Sequence, residues 1–316
     1  MEAAYILSLG RSFRLGKGQD LIRRGSTGLS IQGVIKTEIG NTVKISYRTH
    51  KNQKRIKINE STIERAYDLL DQFPTVVLSP EQPDVVSGPA SNRRDYLNRI
   101  LAITDRSYYQ VLLDYNRLHR QRNALLSDQN RIALSTWNEQ LASAGDQIWM
   151  KRQKFFKIFI PQFLALGDRM VPELKFSIRY RHKFFPDLES YIKALDDNSQ
   201  QDFALKRTTV GPHRDDIHFG MNELPLREMG SQGEKKMFLT LLKHCETDYL
   251  EKKIGKKPVL LLDDLFAKLD RQRSRRILGM FRGDNQTLIT TTDQSVRGLL
   301  EDDHTPVNWV RLGQHT

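Results

Sequence analysis

Apolar and polar positions alternate along residues 27–60 and recur at helical spacing along 91–166, so two textures divide the chain. In the first, Leu29-Ser-Ile-Gln-Gly-Val-Ile, Val43-Lys-Ile-Ser-Tyr and Arg55-Ile-Lys-Ile are short runs separated by Ile39-Gly-Asn and a basic turn. A period of two with turn residues between the runs predicts an antiparallel meander. Before it, Ala3, Ala4, Ile6 and Leu7 read as the tail of a helix stopped by Gly10. A helix near 61–72 leads to Thr75-Val-Val-Leu, a continuous apolar run of the kind a buried strand carries, closed by Ser79-Pro-Glu-Gln-Pro.

In the second texture Tyr108, Val111, Leu112, Tyr115 and Leu118 mark one helical face, with Arg117, Arg120 and Arg122 between them. Lys151, Arg152, Lys154 and Lys157 follow, so the pattern predicts long amphipathic helices with basic outer faces. Leu174–Tyr180 is strand-like, and helical stretches follow near 186–196 and 199–206. After Thr208 the order is strand, helix 231–251, strand 258–262, helix 270–281 and strand 286–291, which argues for a parallel sheet. The expected fold class is α/β, a mainly parallel sheet plus the antiparallel meander. Residues 1–80 and 207–316 form its head, and a helical lobe at 81–206 interrupts it. No internal repeat is present.

Composition narrows the function. Lys plus Arg number 50 against 38 Asp plus Glu, a formal charge of +12 over 316 residues. With 38% hydrophobic and 28% charged residues the chain is not a disordered one. Its longest apolar stretch, Ile158 to Leu166, is broken by Pro161 and Gln162, too short to span a bilayer. The N-terminus has neither the basic flank nor the cleavage site of a signal peptide. The single cysteine, Cys245, excludes internal disulfides and Cys-based zinc sites, which fits the cytosol. A polyanionic partner is expected, nucleic acid rather than a membrane.

The strongest local signal is Pro258-Val-Leu-Leu-Leu-Asp263-Asp264. Four consecutive aliphatics make a buried strand, and two acids stand at its carboxyl end, where open α/β sheets bind ligands. There one carboxylate can hold Mg²⁺ and the other orient an attacking water, or both can merely cap the next helix. A second signal, Gly230-Ser231-Gln232-Gly233-Glu234, is either an ordinary capping box or a phosphate-binding helix start. Together, in this order and one helix apart, they match an ABC-type ATPase signature and Walker B motif. Leu269-Asp270 falls at the D-loop. His213-Arg-Asp-Asp reads as structure or a nucleotide-edge contact in preference to catalysis, with Arg214 paired to Asp215 or Asp216. Cys245 reads as a core residue, and the histidines form no metal set. Lys54 and Arg55, with Lys51 and Lys57, cluster on the meander, and Arg93, Arg94, Arg117, Arg120 and Arg122 line the lobe. Any one cluster suits a solvated face; together with the net charge they suggest a surface that tracks DNA phosphates without base readout.

Gly10-Arg-Ser-Phe-Arg, Asp20-Leu-Ile-Arg23, Ser79-Pro-Glu81, Arg93-Arg94, Gln121-Arg-Asn-Ala-Leu-Leu, Gly211-Pro-His-Arg-Asp-Asp, Gly230-Ser-Gln-Gly, Leu260-Leu-Leu-Asp-Asp and Ile289-Thr-Thr-Thr-Asp293 together resemble the RecF family of bacterial recombination mediators, in family order. The resemblance implies an ABC-type head related to the SMC proteins, head-to-head dimerisation on ATP, and slow hydrolysis. It further implies DNA repair at gapped or junction DNA, with RecR, RecO and RecA as partners. Asp263 would hold Mg²⁺ and Asp264 polarise the attacking water. Ser231, Gln232 and Gly233 would reach the γ-phosphate of ATP on the opposite protomer, and Asp270 would be the D-loop acid.

The chain also departs from the family. No G-x-x-x-x-G-K-[ST] loop occurs in the 316 residues; Gly10 to Gly16-Lys17 has five intervening residues, and Gly18 replaces the Ser or Thr. Glu234 and Lys268 stand where the family more often has Gln and Glu. Met1 is expected to fall one helix turn past the P-loop, leaving out the strands and cradle before it. Two functions follow: an ATP-dependent mediator, or a non-catalytic DNA-binding remnant that no longer takes ATP. The basic lobe argues against a transporter subunit. Without preceding strands, Val259–Leu262 or its neighbours are expected to leave apolar area uncovered.

Overall fold

The computed structural model describes all residues except 15–20, 38, 39, 52, 64–66, 71, 81, 83, 131–133, 184, 265–274, 276–278, 282–284, 293–296, 299–306 and 311–316. Helix α1 (Glu2–Leu9) ends where Gly10 turns left-handed, φ 65°, and returns its N–H to Ile6 O at 2.7 Å. The meander is present: β1 (Gly28–Lys36), β2 (Thr42–His50), β3 (Gln53–Ile58) and β4 (Ser61–Thr62) pair antiparallel in that order. Its inner face, Ile45, Tyr47 and Ile56, packs with Ile6 and Leu7 of α1 and with Leu69. The contact is close enough that a Cβ on Gly33 would meet Leu7 Cδ1 at 2.5 Å. The helix expected from 61 starts later. Asn59 and Glu60, at φ 47° and 68°, make a tight turn that lays Ser61–Thr62 back on β3. Helix α2 (Tyr67–Leu70) and strand β5 (Thr75–Leu78) follow.

Helices α3 (Ala90–Thr104), α4 (Arg106–Ser127) and α5 (Leu134–Met170) occupy the stretch with helical spacing. Asp105 caps α4 by accepting from Tyr108 N at 3.0 Å. After β6 (Phe176–Arg181), α6 (Leu188–Asp197) and α7 (Ser199–Leu205) comes β7 (Asp216–Met221), expected in the parallel sheet. Instead β7 pairs antiparallel with β6 and with β8 (Leu224–Pro225). The reason lies in its inner face: Phe219 sits opposite Ile178 and, with Phe163 and Phe176, surrounds Phe238 at ring distances of 4.9–5.7 Å. Helix α8 (Leu226–Met229) leads to α9 (Gln232–Ile254), which Gly255 closes at φ 72°.

Ion pairs made by buried arginines fasten these helices to their surroundings. Arg93 meets Asp216 at 2.7 Å, Arg99 meets Glu246 at 2.7 Å, Arg122 meets Asp202 at 2.7 Å and Arg152 meets Asp215 at 2.6 Å. Removing one partner of such a pair costs about 3–5 kcal/mol, because the other charge is left in a poor dielectric.

The parallel sheet has the order β10-β9-β5, with β9 (Val259–Asp263) central and β10 (Thr287–Thr290) at one edge. Leu262 stands opposite Leu78 on one side and Ile289 on the other. Val259–Leu262 and β5 are buried throughout, in one core with Tyr5 and Leu9 of α1 and Phe238 and Leu241 of α9. The uncovered apolar area expected here is absent from these two strands, which helices cover, whereas on the neighbouring β10 Leu288 is 40% exposed. The helix expected over 270–281 falls largely outside the described residues. Among the described residues no helix is long and apolar enough to cross a membrane.

Candidate nucleotide site and nucleic-acid interface

Asp263 ends β9 at the carboxyl edge of the parallel sheet, and Asp264 follows it. Both oxygens of Asp263 are held: Ser79 Oγ, just beyond β5, donates to Oδ2 at 2.9 Å, and Thr290 Oγ1 of β10 donates to Oδ1. The acid is thus clamped by both neighbouring strands. Asp264 sits in the left-handed region at φ 46°, with its N–H on Thr290 O at 3.1 Å. A non-glycine residue there stores about 1–2 kcal/mol of backbone strain. Lys236 of α9 interacts electrostatically with Asp264; burial lowers the lysine's pKa and the carboxylate opposes that. The oxygen-only donor set suits Mg²⁺, which completes its shell with phosphate and water. No group of three or more His, Cys, Asp or Glu side chains suited to a metal occurs among the described residues.

Ser231 is the N-cap of α9. Its Oγ accepts from Glu234 N at 3.3 Å while Ser231 N donates to Glu234 Oε2 at 2.7 Å, a complete capping box. Ser231 and Gln232 are exposed and Gly233 half-buried, so the helix start faces outward. No hydrogen bond or ion pair among the described residues joins Ser231, Gln232 or Gly233 to Asp263 or Asp264. Asp270 lies outside the described residues.

The pairing expected within His213-Arg-Asp-Asp is corrected. Arg214 is exposed, and the partners of the two acids come from the helices and from β6. Asp215 accepts from Arg152, from Trp149 Nε1 at 3.0 Å and from Tyr180 Oη; Asp216 accepts from Arg93. The helices contribute these arginines across more than sixty residues of chain, beyond the reach of a local pattern. His213 has both nitrogens engaged, Nε2 with Thr208 O at 3.0 Å and Nδ1 with Tyr115 Oη at 2.6 Å. A carbonyl only accepts, so Nε2 carries the proton and Nδ1 accepts from the tyrosine. Burial, then the His119 ring 4.2 Å away, pull its pKa down to about 3. A neutral, fully bonded imidazole of this kind is structural. Cys245 is likewise a core residue, its thiol pKa raised by burial.

The basic residues separate into two groups. Arg93 and Arg122 are 3% and 0% exposed, so the expectation that they face DNA is corrected: Arg122 neutralises the buried Asp202 and Arg93 the half-buried Asp216. Arg94 is half-buried and donates to Asp215 O at 2.9 Å. Lys54 lies on the inner side of β3, its ammonium on Gly10 O and 5.4 Å from the centre of the Tyr47 ring, so it too leaves the outer face. Arg55, Arg117 and Arg120 are exposed; Arg117 is only 3.7 Å from an equally exposed Asp114, a contact of little strength. With Arg55 on the outer face of the meander stand Lys36, Lys44, Arg48 and Lys57. Strands β1–β3 contain no acid at all, and Arg48 lies directly opposite Arg55. Like charges so placed repel, and a bound polyanion removes the repulsion.

No protein-family model matches the chain. It is 33% identical over 305 residues to the DNA replication and repair protein RecF of Trichlorobacter lovleyi, covering 93% of this chain and 81% of that one. The RecF protein of Chlamydia trachomatis serovar A is 31% identical over 301 residues, covering 92% and 82%. The chain belongs to the RecF family. A solved structure of the recombination mediator protein RecF-ATP in the RecFOR pathway matches with a TM-score of 0.84 at 29% identity, covering 93% of this chain and 82% of that one. The α/β architecture expected from the sequence is therefore that of the family.

Ser79 and Thr290 were legible only as parts of Ser79-Pro-Glu81 and Ile289-Thr-Thr-Thr, not as the hydroxyls that clamp Asp263. Lys36, Lys44 and Arg48 were missed, although period-two alternation with no intervening acid carries the signal.

Proposed function

We propose that the chain is a recombination mediator in DNA repair that grips DNA by its phosphate backbone and shares ATP between two head-to-head copies. The observation that carries this is Asp263, clamped by Ser79 and Thr290 at the carboxyl end of a parallel sheet, in a member of the RecF family. Residues 1–80 and 207–316 serve as the head and 81–206 as the lobe. On this reading Asp263 holds Mg²⁺ and Asp264 accepts a hydrogen bond from the attacking water. Ser231, Gln232 and Gly233 offer backbone N–H groups to the γ-phosphate on the opposite protomer, with Asp270 as the D-loop acid. The outward-facing start of α9, without bonds to its own Asp263, supports a site completed by a second copy. When bound, Mg²⁺ neutralises charge that builds on the transferring phosphate. RecO and RecR, partners of the pathway in which the ATP-bound relative acts, and RecA are the protein partners proposed.

A second reading, DNA binding without the nucleotide, rests on the basic outer face of β1–β3, which needs no ATP to meet phosphates. Both readings require the basic surface. Binding of gapped duplex DNA, followed by fluorescence anisotropy over a salt series, should give log K falling with log salt at about −0.9 per phosphate contact. Arg48→Glu, Arg55→Glu and Arg120→Glu should each weaken binding and flatten the slope. An affinity independent of salt, or no binding at low salt, sinks the proposal. If ATP with Mg²⁺ leaves DNA affinity unchanged, the second reading stands.

A further inference from the structure

A groove of about 500 Å³ lies over the outer face of β6 and β7, walled by the β8–α8 segment, apart from both the Asp263 site and the meander. The register places Arg179 opposite His218 and Arg181 opposite Asp216 on this floor. Asp216 is committed to Arg93, which binds it through two nitrogens at 2.7 and 3.1 Å. Arg179 and Arg181 are exposed and make no ion pair with any described residue. Exposed Leu224 and buried Val86 add apolar surface to the walls.

We propose that this groove docks an extended segment of a partner protein that carries acidic side chains two residues apart. Arg179 and Arg181 are successive residues on one face of a strand, about 6.6 Å apart along it, and an extended peptide presents its own alternate side chains at the same interval. Each guanidinium takes a carboxylate in a paired fork, which an ammonium would not. A residue two further along comes over Ser177 and Gly220, beside Pro225 and Leu224 of the wall. Glu223 and Glu228 in the same wall decide between partner classes. Glu228 lies 3.9 Å from Arg227, and a continuous phosphate backbone would carry a charge past both glutamates at every unit, whereas a peptide with two spaced acids can set neutral residues and N–H donors there. The inference does not depend on the nucleotide or DNA readings, since none of these side chains belongs to either surface.

The test is anisotropy of the fluorescent peptide GSDSDSLS against the full chain, beside GSDSSDLS, in which the acids stand three apart. Saturable binding of the first is expected, at least tenfold tighter than of the second, which is about 1.4 kcal/mol. The double variant Arg179→Gln, Arg181→Gln should lose at least tenfold, and Lys154→Gln, on the exposed face of α5, should lose nothing. If the double variant fails to fold, replacing both aspartates of the peptide with lysine makes the same test from the other side, and binding must vanish. Absence of saturable binding at millimolar peptide, equal affinity for both spacings, or displacement by a single-stranded oligonucleotide with the same arginine dependence overturns the proposal; the last would assign the groove to nucleic acid.

Discussion

Arg120 and Arg122 stand two residues apart on α4, on opposite sides of the helix, and substitution at each should fail in a different assay. Arg122 donates from Nε to Asn138 Oδ1 at 2.7 Å and from Nη1 to Asp202 at 2.7 Å and Thr208 Oγ1 at 2.8 Å. Asp202 also holds Thr209 through its N–H at 2.9 Å and its hydroxyl. Arg122→Ala therefore strands a fully buried carboxylate as well as emptying the space of a large side chain. The expected loss is about 3–5 kcal/mol. An unfolding entropy of about 2.1 cal/mol/K per residue converts this, for a chain of this length, to a fall in Tm of roughly 5–8 °C. Calorimetry and urea melts followed by circular dichroism measure it. Arg122→Met with Asp202→Leu should recover part of the loss by removing both charges, though Thr209 then lacks its acceptor. Arg120→Ala, at an exposed residue without an ion pair among the described residues, should leave Tm within about 1 °C and weaken DNA binding instead. If Arg122→Ala kept its Tm and lost DNA affinity, the assignment of Arg122 to the core would be wrong.

Backbone strain at Asp264 predicts that Asp264→Gly is neutral or stabilising in urea melts, while Asp264→Val, a β-branched residue forced to φ 46°, costs at least about 1–2 kcal/mol. His213 gives a pH signature. Its folded pKa, about 3, lies below that of an unfolded histidine, so the unfolded chain binds the extra proton and stability falls as pH drops from about 6.5 towards 3. The contribution of this one group is at most about 1.4 kcal/mol per pH unit, and His213→Gln should flatten the fall measured between pH 7 and 5.

What the sequence made legible follows the range of each interaction. Four aliphatics and two acids announced β9 and its ligand edge because burial on both faces leaves no alternation to misread. The meander was readable for the same local reason, yet its charges were counted by proximity rather than by parity, which grouped Lys54 with Arg55 although they point to opposite faces. Arg122 was open to a similar correction. It lies four residues after Leu118 and four before Leu126, on the buried stripe of α4, just as Arg93 precedes Tyr96 and Leu97. Register along a helix outranks residue type there, because a charged group is carried inward whenever a partner awaits it. The direction of β7 was not readable, since it depends on β6, whose pairing no local pattern encodes.

The clamp on Asp263 has a consequence for the order of events in folding. Its two hydroxyl partners lie 184 and 27 residues away in sequence, so the acid is held only after the first quarter of the chain has closed on the last. Closing the longer of those loops is entropically costly and slow compared with forming α4 or the meander, whose contacts are local. An early intermediate would then carry finished helices and a finished basic face but a loose carboxylate. Fraying of β10 alone in the finished protein would free Oδ1 while Ser79 still held Oδ2, so the state of this acid reports whether the edge of the sheet is in place.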